Sequence, residues 1–312
     1  MQPSTGRILQ VCGYNNNVFD KAAPHFVSLF SPPARYRISR VDHLQANQKA
    51  WNQFAESGSL FAKTATDAEC RNPLKTLDGR GWLPDSVAGL DVLCLAAGGG
   101  WQSVLYAAAG ARVTVVDISD SMLKLDEQEC RRRGFPVRTI QASMDELGIL
   151  ADETFDIVHQ PVSTCYIPDL RSVYQEIARV IRDDGIYISQ HKQPVSLQIS
   201  HRNERQQFVI GVEYYHEGPL PQQTDNSYRE SGTTEYLHRL EQLIGDLCVT
   251  GFTIEDFREP RRADYSADVS HYGYRGRFVP PYLRMKAKRR PRSPSEKTGR
   301  LTAGGLWIPG AG

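Results

Sequence analysis

The 312-residue sequence is poor in the features that would send it into a membrane, out of the cell or onto nucleic acid. It has no run of about 18 apolar residues, which excludes a helical membrane span. Met1 to Phe19 carries Arg7 but no apolar core, so secretion is not expected. Lysine and arginine number 37 against 36 acidic residues, a formal charge of +1, and so no global field favours nucleic acid or anionic lipid. Six cysteines are scattered at Cys12, Cys70, Cys94, Cys130, Cys165 and Cys248. None forms a C-x-x-C pair and no His–Cys cluster has zinc spacing, so no metal site is expected. They read as reduced thiols of a cytoplasmic protein.

What is present is ordinary globular material, 40% hydrophobic and 23% charged, enough for one large α/β domain with insertions. Residues 1–42 are weakly patterned, with turn signals at Asn15-Asn16-Asn17 and Ser31-Pro32-Pro33. They read as a poorly ordered extension, upstream of the natural start, because domain-like patterning begins near Asp42. Residues 43–88 read as an N-terminal cap: a helix from Leu44 to about Gly58 carrying Trp51 and Phe54, then a Pro- and Gly-rich connection.

From Asp91 strands and helices alternate. Asp91–Leu95, Val113–Val116, Val137–Ile140, Phe155–His159 and Gly185–Ser189 are short apolar runs that read as strands. Between them lie helices over 101–109, from about Asp120 to Arg133 with Gly134 as stop, and from Asp169 as N-cap through Leu170, Val173, Tyr174, Ile177 and Ile181 to Asp184-Gly185. Residues 192–232 interrupt the alternation as a lid-like insertion with one strand-like run, Phe208 to Tyr215. A helix resumes at about Thr234, with Tyr236, Leu237, Leu240, Leu243, Ile244 and Leu247 as its apolar stripe. A sixth strand follows Gly251 and a seventh spans Pro281–Met285. The fold class is α/β: a Rossmann-like doubly wound sheet, mostly parallel, with an antiparallel C-terminal strand. The domain spans 43–288, and 289–312 reads as a solvated, disordered basic and Gly-rich tail rather than a nucleic-acid contact.

Such a sheet binds a nucleoside at the carboxyl edge of its strands, where the strand order reverses. That edge must offer an unobstructed backbone after strand one, an acceptor for ribose hydroxyls after strand two and a slot for the base near strand three. Ala96-Ala97-Gly98-Gly99-Gly100, Asp117, and Ser143-Met144 stand at those places. A glycine triplet alone is also a plain turn, and an aspartate after a strand is also a helix cap. The order and spacing of the whole set carry the reading.

The runs Val92–Gly100, Val115–Ser119 with Met122-Leu123, Ser143–Leu147, Phe155–Val158 and Arg179–Gly185 together resemble the motifs of class I S-adenosylmethionine-dependent methyltransferases. The resemblance covers roughly residues 45–288 and is nearest to stand-alone bacterial enzymes of the methyltransferase-11 type. It extends to His159–Cys165 and His238–Gly245, segments similar to ones some of these enzymes carry. It implies S-adenosyl-L-methionine as cofactor, held by Ala96, Gly98, Gly100, Asp117, Ile118, Ser143, Met144 and Gln160. Two departures stand out. Cys94 occupies a position where the family often has an acid, and Ala96 replaces the first glycine of the turn.

An acceptor nitrogen, oxygen, carbon or sulfur would attack the activated methyl in line, so positioning supplies much of the rate and a base matters mainly for hydroxyl or carbon acceptors. His191, ending strand five, and His238 are the candidate catalytic bases. His191 reads more readily as a polar surface histidine, and helical periodicity puts His238 opposite the apolar stripe, facing solvent. Trp51, Ser163, Tyr166 and Tyr214 are candidate substrate contacts. Trp51 is as readily a core aromatic, and Tyr214-Tyr215-His216 a plain surface hairpin. Gln160-Pro161 partly resembles the Asn/Asp-Pro-Pro-aromatic motif of amino-methyltransferases, and Val279-Pro280-Pro281-Tyr282 resembles it in letters but reads as a turn before the last strand. The expected acceptor is a small molecule, with no membrane partner, and a nucleic-acid substrate is disfavoured by the neutral charge. Two alternatives stay open: an NAD(P)-dependent Rossmann oxidoreductase, since Gly98-x-Gly100-x-x-Ser103 mimics the dinucleotide fingerprint, and a non-catalytic S-adenosylmethionine-binding protein.

Overall fold

The structure is a computed structural model that describes residues 40–224 and 228–292. The expectations for residues 1–39 and for the tail beyond 292 lie outside the described residues. Five strands, β1 (Asp91–Leu95), β2 (Arg112–Asp117), β3 (Val137–Gln141), β4 (Phe155–Gln160) and β5 (Ile181–Lys192), pair in parallel. A short antiparallel pair, β6 (Ile199–Arg202) and β7 (Phe208–Ile210), stands apart from them. The last two strands, β8 (Phe252–Arg258) and β9 (Tyr282–Arg289), complete a seven-stranded sheet in the order β3-β2-β1-β4-β5-β9-β8. β9 runs antiparallel to both neighbours and is the reversed strand of that sheet. After β3 the chain returns across β1 to lay down β4, so the order reverses between β1 and β4, where open α/β sheets bind their ligands.

Burial on both faces explains why the central strands are continuous apolar runs. Val92, Leu93, Cys94 and Leu95 are wholly buried. Leu93 and Leu95 join a core with Val173, Tyr174 and Ile177, while Val92 and Cys94 pack on the other side with Tyr106. The helices are α1 (Arg40–Glu56), α2 (Asp67–Cys70), α3 (Pro73–Leu77), α4 (Gln102–Ala108), α5 (Asp120–Arg133) and α6 (Leu170–Val180), followed by the short α7 (Pro194–Gln198), α8 (Leu247–Val249) and α9 (Tyr272–Arg275). Asp169 caps α6 by accepting the Arg171 N–H at 3.1 Å. The helix then buries Leu170, Val173, Tyr174 and Ile177, worth roughly 1.5–3 kcal/mol each as an upper bound. Ser119 caps α5 and Gly134, at φ 74°, stops it.

α1 docks by buried polar residues as well as by Leu44, Ala50 and Trp51, which accounts for its weak hydrophobic period. Asn47 donates to the Tyr166 and Thr234 carbonyls, both at 3.2 Å, and accepts the Thr234 N–H at 2.7 Å. Asn52 bridges to Ser119 and Asp120 at the start of α5.

Several boundaries differ from the sequence expectation. α6 ends at Val180, not at Asp184-Gly185. Ile181 already belongs to β5, since its strand pairs with Phe155 of β4. The run Phe208–Tyr215 is a strand only as far as Ile210. The helix expected from Thr234 begins near Leu240, as a π-helical turn over Glu241–Asp246. The preceding residues are held extended by other segments: the Tyr236 N–H donates to the Cys165 carbonyl at 2.7 Å and the Thr234 N–H to Asn47. Tertiary hydrogen bonds outbid helical propensity there.

Candidate active site

A cavity of about 610 Å³ opens at the carboxyl ends of β1 to β5. Each parallel strand delivers its next residues to the wall: Ala96–Gly98 after β1, Asp117–Ile118 after β2, Ala142–Met144 after β3 and Pro161–Ser163 after β4, with Gln190 near the end of β5. α1 adds Trp51, whose ring meets those of Phe54, Phe61 and Tyr166 edge-on at centroid distances of 5.4, 5.9 and 5.6 Å. Trp51 is thus both a cavity wall and a member of an aromatic cluster.

The turn after β1 is held by two carboxylates. Asp117 accepts the Gly98 N–H and the Ser119 N–H, both at 2.9 Å. Burial raises its pKa, and these backbone donors work against that rise. A Cβ on Gly98 would lie 2.8 Å from the Met122 Cβ and 3.0 Å from an Asp117 oxygen, so only glycine fits between strand end and carboxylate. Asp126 of α5 is fully buried and accepts the N–H groups of Gly99 at 2.8 Å and Gly100 at 3.1 Å, with the Ser103 hydroxyl as third donor. Burial pushes its pKa up to about 7. Ala96 sits at φ 49°, a left-handed conformation unusual for a residue with a Cβ.

Of the residues singled out from sequence, Ala96, Gly98, Asp117, Ile118, Ser143, Met144, Trp51, Ser163 and Tyr166 come together on this cavity. Gly100 and Gln160 stand behind it. The Gln160 amide is spent internally: its oxygen accepts from the Tyr187 hydroxyl at 2.6 Å and its nitrogen donates to Ser163 at 2.9 Å. Tyr214 is exposed, meets the Tyr215 ring edge-on and is not among the cavity's lining residues.

The two histidines also lie elsewhere. His191 is neither a surface residue nor a cavity group. It is fully buried between the Thr164 and Ser189 hydroxyls, each 2.8 Å from a ring nitrogen, and burial pushes its pKa down to about 3. His238 does not face solvent, because its segment is not helical. It is buried with Nε2 2.9 Å from the Thr164 carbonyl, and burial lowers its pKa.

Sequence reasoning missed the charged wall at the β5–β9 end. Glu230, which lines the cavity, accepts from the Tyr166 hydroxyl at 2.7 Å and from the buried Lys192 ammonium. Lys192 also reaches Glu235 at 2.9 Å, which in turn lies 3.3 Å from Arg229. Burial would raise the Glu230 pKa, but Lys192 outweighs it and holds this carboxyl low. Glu235 is raised by burial and by Glu230 beside it. Lys63, Glu69, Gln102, Arg262 and Tyr282 also line the cavity, so the Val279–Tyr282 run dismissed as a turn contributes its tyrosine. Asp126 did leave a signal, as a carboxylate within the buried stripe of Met122, Leu123 and Cys130. Among the described residues no group of three His, Cys, Asp or Glu is placed to hold a metal ion, and no helix is long and apolar enough to cross a membrane.

A parallel sheet with a small-residue turn, a strand-end carboxylate and an apolar slot at its switch point defines a nucleoside-binding α/β protein. Comparison with known proteins narrows this. The methyltransferase-11 family, described as a methyltransferase domain, matches residues 93–189. An uncharacterised methyltransferase of Bacillus subtilis (strain 168), YbaJ, is 33% identical over 231 residues, covering 69% of this chain and 89% of that protein. The crystal structure of an S-adenosylmethionine-dependent methyltransferase from Mesorhizobium loti superposes with a TM-score of 0.56 at 20% identity, over 70% of this chain and 100% of that one. A putative one from Listeria monocytogenes gives 0.55 at 20% identity, over 78% and 99%. The chain belongs to the class I S-adenosylmethionine-dependent methyltransferases, and S-adenosylmethionine is its cofactor. The oxidoreductase and non-catalytic alternatives give way to that membership.

Proposed function

We propose that this methyltransferase modifies a small-molecule acceptor in the cytoplasm, with the cofactor over the β1–β3 edge and the acceptor against β4, β5 and β9. The observation that carries the reading is the facing pair of Gly98 and Asp117. Gly98 lets the turn close onto the strand-end carboxylate and puts main chain on the cavity wall. Asp117 takes backbone N–H groups at both oxygens, and a carboxylate's four acceptor sites leave room for a ribose diol. Ile118 and Met144 flank the adenine and Ser143 lies at its edge. Lys63 and Gln102 hold the methionine end. Gln102 is 6% exposed and its Oε1 has no hydrogen-bond partner among the described residues, as suits an acceptor awaiting an ammonium. This compensates for the acid absent at Cys94. The free thiols Cys70, Cys94, Cys130, Cys165 and Cys248 support a reducing compartment.

The bound cofactor supplies an electrophilic methyl group on a sulfonium, activated before the acceptor arrives. The chain's own residues then position the acceptor and manage its proton. Glu230 is ionised at neutral pH, faces the cavity and takes the proton that the acceptor sheds as its bond to carbon forms. Tyr166 and Lys192 fix that carboxylate. Trp51 and Tyr166 wall the site from water. Glu230 replaces the two histidines in this role because neither reaches the cavity.

Calorimetry with S-adenosylhomocysteine tests the reading. We expect binding by the intact protein, none of NAD(P), and an affinity roughly 10- to 100-fold weaker in Asp117→Ala, the loss of a hydrogen-bonded charged group. Glu230→Gln should keep that affinity yet transfer labelled methyl into a metabolite extract roughly 100-fold more slowly. Binding of NAD(P) instead of the adenosyl ligand would overturn the assignment.

A further inference from the structure

The far end of the cavity is donor-rich in a way the methyl transfer itself does not require. Arg262 lines the cavity and forms no ion pair among the described residues. Gln190 lines it too, and its amide orientation is fixed chemically: Arg284, its register partner on β9, donates Nε–H to the Gln190 oxygen, leaving the amide NH2 for the cavity. Tyr282, on the same face of β9 as Arg284, brings a phenol, and no hydrogen bond occupies it among the described residues. Arg284 likewise meets no carboxylate among the described residues. Partial burial and the nearby guanidiniums of Arg262 and Arg80 depress its pKa, the mark of cations crowded without an anion. In a chain with a formal charge of only +1, an unneutralised arginine group on the rim of a substrate cavity calls for an anion from outside.

Building on the acceptor placement above, we propose that the acceptor carries an oxyanion substituent, a carboxylate or a phosphate, seated by Arg262, the Gln190 amide and Tyr282 while its hydrogen-bearing nucleophile faces Glu230. Tyr282 is the register partner of Lys192, the cation paired with Glu230, so donors and carboxylate share the β5–β9 wall, with Trp51 and Tyr166 as the aromatic walls of the same cavity. A cationic acceptor held by Glu230 against those rings is the competing occupant.

The test uses the full chain saturated with S-adenosylhomocysteine, titrated by calorimetry with benzoate, phenyl phosphate and benzylamine. We expect benzoate or phenyl phosphate to bind, the stronger of the two showing which oxyanion fits, with affinity falling roughly tenfold in Arg262→Gln and partly kept in Arg284→Lys. Benzylamine should not compete. Arg262 is exposed, so its variant should fold, and unchanged binding of S-adenosylhomocysteine confirms that it has. Tighter binding of benzylamine than of either anion, or anion affinity indifferent to Arg262→Gln, would overturn the proposal while leaving the cofactor reading intact. Failure of the intact protein to bind S-adenosylhomocysteine would strike that reading instead.

Discussion

The two halves of the cavity are built by different means. The β1–β3 half uses main chain and short side chains from one contiguous stretch, Ala96 to Met144, braced from behind by Asp117 and Asp126. The β4–β9 half uses long side chains from separate stretches, namely Tyr166, Gln190, Glu230, Arg262 and Tyr282, with Glu230 anchored by a buried lysine. On the proposed placement, the first half can be local because it would grip an invariant nucleoside, and backbone contacts do not depend on side-chain identity. The second is assembled by tertiary structure, as a wall proposed to answer to one acceptor's shape and charge would be. Cofactor grip and acceptor grip should therefore be separable by mutation.

The largest expected effect is at Lys192. Its side chain is 1% exposed and pairs with both Glu230 and Glu235. Lys192→Met leaves the buried Glu230 carboxylate without a cation and Glu235 with Arg229 alone, and we expect a loss of roughly 3–5 kcal/mol in urea denaturation. The protein that remains folded should bind S-adenosylhomocysteine as before. A matching loss of cofactor affinity would break the division between the halves.

Asp126 sharpens the same comparison from the other side. Its folded pKa of about 7 lies above the ordinary value of about 3.9. Between those values the folded chain holds a proton that the unfolded chain has lost. The stability due to Asp126 is therefore fully present below about pH 4 and is lost as pH rises toward 7. Against Asp126→Asn, which lacks this titration, the intact protein should lose roughly 2–3 kcal/mol between pH 5 and pH 8. The variant should also bind S-adenosylhomocysteine less tightly, because an amide cannot accept from Gly99, Gly100 and Ser103 at once. Parallel stability curves for the two proteins across that range would refute this assignment.

The difference between the halves also decides what was legible in the sequence. Strands β1 to β4 and their turns were readable because buried parallel strands are unbroken apolar runs punctuated by Gly98–Gly100, Asp117 and Gly134. The acceptor half was not. Lys192 and Glu230 lie in or beside a segment without periodicity, and their partnership exists only once β5 and the insertion meet. The histidines drew attention by residue type alone. Yet two hydroxyls and complete burial keep His191 neutral, and a broken helix turns His238 inward. Asp126 could have been found by asking why a carboxylate interrupts the buried stripe of α5.

The smallest effect concerns the turn itself, where the local half departs from its own rule. Ala96 stands at φ 49° where the family's motif has glycine, and its N–H is committed to the Val116 carbonyl at 2.7 Å. Holding alanine there costs about 1–2 kcal/mol. Glycine would release that strain but surrender about 0.5–1 kcal/mol of chain entropy on folding. Ala96→Gly should therefore gain about 0.5–1 kcal/mol, a rise in Tm of about 1–4 °C, with S-adenosylhomocysteine affinity preserved because the Gly98 and Asp117 contacts are untouched. Ala96→Val, adding a branched Cβ in the same conformation, should move Tm the opposite way by more. If scanning calorimetry finds glycine no more stable than alanine, the turn tolerates its Cβ without strain. The local half would then owe its shape to the Asp117 and Asp126 carboxylates alone.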